Sequence, residues 1–300
     1  MKLWPWLVPA GVILAVLACT GEEEPAPPED QPQKENTVQL LLSSAWDPCY
    51  SPGGDDIVFV EAYHLTVYDL VTYKKTNITP DFGSAAQAPR KPVWLEGDVV
   101  AFVRKKDGGN EYKLWTVPAT GGNITEYDVN VDADSSLAGD PNGEYVYYTG
   151  EGDQLLYRVE LSSGIPARIT TNHLAGFAHY DPAYNPNDPF IYYVERQVPF
   201  NPQPHGEYIS DVGAGGGIPR LVLNTDKPFL EGLTVSPDDK YLIFPHRDGL
   251  FACEHRSGVE TWLTRAPDKW TDKDRNPCYA PDGTHFVFTR ANNIYICEAL

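Results

Sequence analysis

Three hundred residues carry 23 Lys+Arg against 42 Asp+Glu, a formal net charge of −19. That balance excludes a nucleic-acid partner, whose phosphates require a basic surface, and reads as a soluble, self-repelling surface rather than a binding device. The length can bury one or two substantial cores, and a closed repeat architecture uses it as one domain.

In chain order, the first segment is MKLWPWLVPAGVILAVLAC: Lys2, a mainly apolar stretch through Leu17, then Ala18-Cys19. A positive start, a short apolar core and a small residue before the cut predict an export signal over residues 1–18 rather than a membrane span. The ending Val16-Leu17-Ala18-Cys19 resembles a bacterial lipobox, although Val16 stands where Leu is commoner. The resemblance implies lipidation of Cys19, which becomes the mature N-terminus. It also implies a place in the bacterial cell envelope, on the periplasmic face of the outer membrane or at the cell surface. Residues 19–36 continue with TGEEEPAPPEDQPQKEN, rich in Pro, Glu and Gln and without an apolar pattern. They cannot bury enough surface to offset ordering, which predicts a flexible acidic tether.

After residue 36 every strong pattern is β. Short aromatic or alternating runs are bounded by Gly, Pro, Asn and Asp, and no sustained helical period occurs. Six turn segments align: YSPG at 50–53, WLEG at 94–97, GDPNG at 139–143, YNPND at 184–188, VSPDD at 235–239 and YAPDG at 279–283. Their starts are 44 to 51 residues apart, the size of a four-stranded propeller blade. The proline fixes its own φ and needs no amide partner, while the following Gly supplies left-handed backbone. Second strands follow as DIVFV, DVVAFV, EYVYY, PFIYYV, KYLIF and THFVF. Six first-to-third-strand sets are present but only five fourth strands, and an isolated strand-like run occupies residues 37–43. The prediction is an all-β, six-bladed propeller over residues 37–300, with the run at 37–43 completing the last blade and removing two exposed edges.

SPDDKYLIF and APDGTHFVF, followed by NNIYICEA, resemble the PD40 or WD40-like repeats of TolB-type six-bladed propellers. The resemblance covers residues 37–300. Nothing corresponds to TolB's separate α/β domain, so a propeller-only relative is implied, without TolB's particular contacts.

No HExxH, GxSxG, Walker or dinucleotide motif occurs. The run GAGGG at 213–217 falls in a third-to-fourth-strand connection, and Asp55-Asp56 and Asp238-Asp239 are turn residues without calcium-loop spacing. His64, His173, His179, His205, His246, His255 and His285 form no short metal motif. Certain polysaccharide lyases resemble this fold and hold a metal in the channel, but no shared catalytic string is present. No cofactor or metal is predicted. In a propeller the residues leading into the first strands face one mouth of the channel. Here these are Trp46-Asp47, Arg90-Lys91, Asp134-Ser135, Tyr180-Asp181, Glu231-Gly232 and Arg275-Asn276. A mixed-charge ring with Trp and Tyr suits a peptide segment or small polar ligand; the plainer alternative is a polar, water-filled lining. The Pro-rich insertion RQVPFNPQPHGEY at 196–208 is either a recognition loop or surface elaboration.

Cys49 and Cys278 share a first-strand position in blades one and six, neighbours once the ring closes; Cys253 and Cys297 share a third-strand position in blades five and six. Each pair is either a disulfide or two packed thiols, the inner pair being nearer bonding range. The functional expectation is a monomeric, non-catalytic binding or scaffold module whose partner is an envelope protein or peptide segment, touching membrane through the N-terminal lipid alone. The alternative is a carbohydrate-active enzyme, a polysaccharide lyase or hydrolase using the channel mouth. A channel plugged by side chains would instead favour a structural spacer.

Overall fold

A computed structural model of the chain describes residues 36–171, 177–197, 207–225, 231–246, 249–266 and 273–300. The export segment, Cys19, nearly all of the tether, His173, His205 and most of the 196–208 insertion lie outside the described residues.

The second strands explain the architecture. In DIVFV, Ile57 and Phe59 pack with Val287 and Ile294 of blade six, while Val58 and Val60 pack with Trp94 and Phe102 of blade two. Successive strand residues point to opposite faces, so a run apolar at every position requires cover on both faces. Stacking blades around a ring supplies that cover. The result is six four-stranded antiparallel sheets, five with their strands in simple meander order and the last with the N-terminal strand at its outer edge. The ring closes as expected: Val38–Leu42 joins Asn293–Glu298 of the last blade, with Val38 opposite Cys297 and Leu40 opposite Tyr295.

The aligned turns form one rim of the ring and pack on each other. Gly54 has φ +82° and lies 3.4 Å, measured from where a Cβ would stand, from Cδ of Pro281; Gly283, at φ +72°, meets Pro237 in the same way at 3.6 Å. Gly143, at φ +69°, sits over the carbonyl of Glu96, the residue occupying the proline position of blade two. These three glycines therefore serve twice, supplying left-handed backbone and leaving room for the preceding blade, whereas Gly97 of blade two, at φ +76°, meets nothing within 4 Å. Beyond three of the outer strands a threonine caps the start of the third strand. Thr79, Thr170 and Thr264 Oγ1 accept the amides of Leu65, Leu156 and Leu250 at 2.8, 2.9 and 3.0 Å.

The inner strands differ from a uniform repeat. Blades one, two, four and six have Ala45–Tyr50, Arg90–Leu95, Phe177–Tyr184 and Asp274–Tyr279, whereas blades three and five have only Ala138–Gly139 and Thr234–Val235. The four longer strands each carry an X-Pro step, and the two short ones do not. That difference shapes the channel.

Candidate functional site: a polar collar beneath the channel mouth

In the four longer inner strands the residue before proline has left-handed backbone: Asp47 at φ 54°, Lys91 at 50°, Asp181 at 50° and Asn276 at 50°. Each sits within a register shift, between Trp46 and Cys49, Arg90 and Val93, Tyr180 and Ala183, and Arg275 and Cys278. Proline normally drives its predecessor into extended conformation, and left-handed backbone costs a non-glycine residue about 1–3 kcal/mol. The surroundings hold this geometry by satisfying every displaced amide. Asp47 N–H donates to Thr289 Oγ1 (2.9 Å), Lys91 N–H to Asp47 Oδ2 (3.1 Å), Asp181 N–H to Ser135 Oγ (2.9 Å) and Asn276 N–H to the Glu231 carbonyl (2.9 Å).

The side chains at these bulges form a collar. Asn276 Nδ2 donates to Asp47 Oδ1 at 2.5 Å, and Ser136 N–H donates to Asp181 Oδ1 at 2.8 Å. Lys91 reaches from blade two across the ring, donating to Glu231 Oε2 of blade five at 3.0 Å and to Asn276 Oδ1 at 2.8 Å. Burial of Lys91 disfavours its charge, but Asp47, Glu231 and Asp181 outweigh burial and hold its pKa above the ordinary value. Burial likewise pushes Glu231 up, yet the Lys91 ammonium, with Arg275 and Arg90 nearby, brings it below the ordinary carboxylate value. The pair is therefore ionised at neutral pH, with Lys91 almost fully buried and Glu231 half-exposed.

This collar divides the channel. On one side lies an inner cavity of about 190 Å³ lined by Pro48, Pro92, Pro182, Pro277, Cys49 and Cys278 among others. On the other lies the mouth, a basin of about 500 Å³; Asp47, Lys91 and Asn276 line both spaces. Of the residues expected at the mouth, Trp46, Asp47, Arg90, Lys91, Asp134, Glu231, Arg275 and Asn276 line the basin. Tyr180 instead receives a hydrogen bond from Gln154 Nε2 (2.6 Å) and lies under Arg196, while Asp181 is buried in the collar beside Ser135. Above the floor the charges are incompletely matched. Arg275 reaches Glu231 only at 3.6 Å, and its buried Nε has no hydrogen-bond partner among the described residues. The Arg90 guanidinium rests over Tyr112 at 5.3 Å.

Sequence reasoning missed Tyr63 and Asn292, which also line the mouth. Both sit in two-residue hairpin loops whose central residues are left-handed without glycine: Ala62 at 50° and Tyr63 at 69°, Ala291 at 49° and Asn292 at 58°. Such loops favour Asn-Gly, so an exposed tyrosine here is held at a conformational cost. The available signal was the two-residue spacing between the second and third strands of blades one and six. Ala85, Ala88 and Pro89, from the connection into blade two, complete that wall.

Two histidines take structural positions: His64 Nδ1 lies 2.8 Å from the Thr79 carbonyl and His179 Nδ1 2.8 Å from Thr170 Oγ1. Among the described residues no three His, Cys, Asp or Glu side chains gather as a metal-ligand set. All four described cysteines are thiols; Cys253 and Cys297 are buried in separate apolar clusters, and burial pushes Cys297 up to about 12.

No protein-family model matches the chain, and no curated protein matches it. Solved structures do. A putative TolB from Agrobacterium tumefaciens is 16% identical with a TM-score of 0.63, covering 87% of this chain and 91% of that one. A gluconolactonase from Xanthomonas campestris is 10% identical with a TM-score of 0.66, covering 88% and 89%. An oligogalacturonate lyase in complex with manganese is 13% identical with a TM-score of 0.60, covering 85% and 76%. At these identities the likeness is one of fold: the chain is a six-bladed propeller of the kind seen in TolB-like proteins, a scaffold that hosts unrelated activities.

Proposed function

We propose that the chain is a non-catalytic binding module of the bacterial cell envelope, tethered by lipid on Cys19, that seats a protein or peptide segment in the channel mouth. The carrying observation is the basin of about 500 Å³ whose floor is closed by Lys91 and whose wall carries the part-exposed guanidinium of Arg275, which reaches Glu231 only at 3.6 Å. A closed floor makes this a seat rather than a passage, and the incompletely paired guanidiniums of Arg275 and Arg90 favour a ligand that brings an acceptor. Trp46 and the half-exposed Tyr63 offer rigid aromatic surface beside it, a combination common in protein-recognition sites. The plug does not favour a spacer role, because the mouth remains open above it.

The test is affinity capture from detergent-solubilised envelope with the full chain, an Arg90→Ala/Arg275→Ala variant and a Lys240→Ala variant on the turn rim. A partner held by the native chain and Lys240→Ala, but lost from the double variant, supports the mouth. Equal retention by all three removes the mouth as the site. No retained partner, together with metal-dependent turnover on a polysaccharide panel, would make the chain a carbohydrate-active enzyme.

A further inference from the structure

The inner cavity contains chemistry that a mouth ligand does not use. Cys49 and Cys278 follow the collar residues Asp47 and Asn276 by two positions, and their sulfurs face each other across the seam between blades one and six at 3.7 Å. Both line the inner cavity of about 190 Å³ and are partly exposed. Each sulfur also receives a backbone donor from a neighbouring blade, the Trp94 N–H onto Cys49 (3.4 Å) and the Tyr50 N–H onto Cys278 (3.3 Å). Amide donors aimed at sulfur stabilise thiolate over thiol. These features set the pair apart from Cys253 and Cys297, which are sealed in apolar clusters.

We propose that Cys49 and Cys278 are a small-oxidant-responsive dithiol, in which Cys49 is the attacking sulfur, Cys278 the resolving sulfur, and a hydroperoxide the co-reactant. The Cys49 thiolate attacks the terminal peroxide oxygen. The O–O bond breaks, a sulfenic acid forms on Cys49, and the departing oxygen takes a proton and leaves as water, or as an alcohol from an alkyl peroxide. The Cys278 sulfur then attacks Cys49; the new S–S bond forms as the S–O bond breaks, and the hydroxide leaves as water with the Cys278 proton. Two thiols are oxidised by two electrons and one peroxide is reduced by two.

The roles follow the direction of the contact between the two sulfurs, in which the Cys278 thiol donates to the Cys49 sulfur. The hydrogen bond from the Cys278 thiol, with the Trp94 amide, holds the Cys49 thiol below its ordinary value in spite of burial; the same contact and burial hold Cys278 well above its own. A lowered pKa, access and an adjacent resolving thiol together mark a redox-responsive cysteine. The cavity sets the oxidant class by size. Its volume of about 190 Å³ seats a hydroperoxide beside the sulfurs without rearrangement, whereas a tripeptide disulfide would have to bring its S–S bond down between the cavity walls. Bond formation draws the sulfurs from 3.7 Å to about 2.05 Å, and covalently joins the first and last blades. The Asp47–Asn276 hydrogen bond lies two residues before the cysteines on the same two strands.

The experiment treats the purified full chain with hydrogen peroxide and maps cysteines by mass spectrometry, with oxidised glutathione as the bulky comparator. The expected result is a loss of two hydrogens reversed by dithiothreitol, a peptide cross-linking Cys49 to Cys278, and little reaction with glutathione disulfide. Cys278→Ser should leave a sulfenic acid on Cys49 that dimedone captures; Cys49→Ser should leave Cys278 unreacted. Oxidation beginning at Cys253 or Cys297, or native protein with no Cys49–Cys278 cross-link under excess peroxide, overturns the proposal whether or not the variants fold. Faster reaction with the bulky disulfide overturns the oxidant class. These readouts do not depend on a mouth ligand.

Discussion

Blades one, two, four and six build their inner strands differently from blades three and five, and the contrast explains the collar. Where an X-Pro step is present, the strand is long, bulged and left-handed at one residue, and that residue contributes to the collar. Where it is missing, the inner strand shrinks to two residues and the blade receives its neighbour. Ser135 and Ser136 of blade three bind both the amide and the carboxylate of Asp181; the Glu231 carbonyl of blade five binds the amide of Asn276, with Gly232 beneath it. The lesson is that departures from the repeat are complementary. In blades four and six the strain is held by the irregularity of the blade before, whereas in blades one and two it is held by side chains of X-Pro blades, Thr289 of blade six and Asp47 of blade one.

The largest expected effect comes from removing the cation that crosses the ring. Lys91→Met keeps length but leaves Asp47, Asp181 and Glu231 facing one another without Lys91. Leaving buried charge uncompensated costs about 3–5 kcal/mol, a fall in Tm of about 5–10 °C. Calorimetry showing an unchanged Tm would mean the collar is not a unit. Next is the receiving blade. A Cβ on Gly232, at φ +99°, would lie 2.8 Å from Asn276 Cα, so Gly232→Ala should cost about 1–3 kcal/mol. Gly53→Ala, where a Cβ meets nothing within 4 Å, should change stability by less than about 0.5 kcal/mol. Equal denaturant midpoints for the two would break the comparison between receiving and ordinary positions.

A third change should stabilise. Replacing Ala62-Tyr63 by Asn-Gly relieves two left-handed non-glycine residues and should add on the order of 1 kcal/mol while weakening a mouth ligand. A gain in stability with unaltered binding would remove Tyr63 from the site. The smallest effect is acid sensitivity. Because Glu231 is held below its ordinary value of 4.5, its contribution is present at neutral pH and is lost as pH falls below 4.5 through the folded-state value. Urea midpoints followed against pH should show this loss in the native chain and a smaller one in Lys91→Met. Parallel curves would uncouple Glu231 from Lys91.

The blade count, strand order and closing strand were legible because they depend on a repeated turn and on runs apolar at every position, which only two-sided burial explains. Most of the mouth was legible too, since position in a repeat places a residue at one end of the ring. What could not be read was direction. Tyr180 shares its repeat position with Trp46 and Arg275, yet turns to Gln154 and Arg196. The left-handed residues were also hidden: Pro ordinarily imposes extended backbone on its predecessor, and the collar reverses that preference through long-range amide acceptors such as Thr289 and Ser135. Tyr63 was hidden for a related reason, because a glycine-free loop gives no turn signature.

The proposed function places the ligand on the collar at the mouth. It is tested most directly by selecting peptides from an unbiased library on the full chain and mapping the bound peptide by hydrogen exchange and photo-cross-linking. The prediction is protection and cross-links centred on Trp46, Tyr63, Arg90 and Arg275, abolished in Arg90→Ala/Arg275→Ala. Peptides that instead map to the turn rim around Pro237 and Pro281, or to the outer strands, would contradict it.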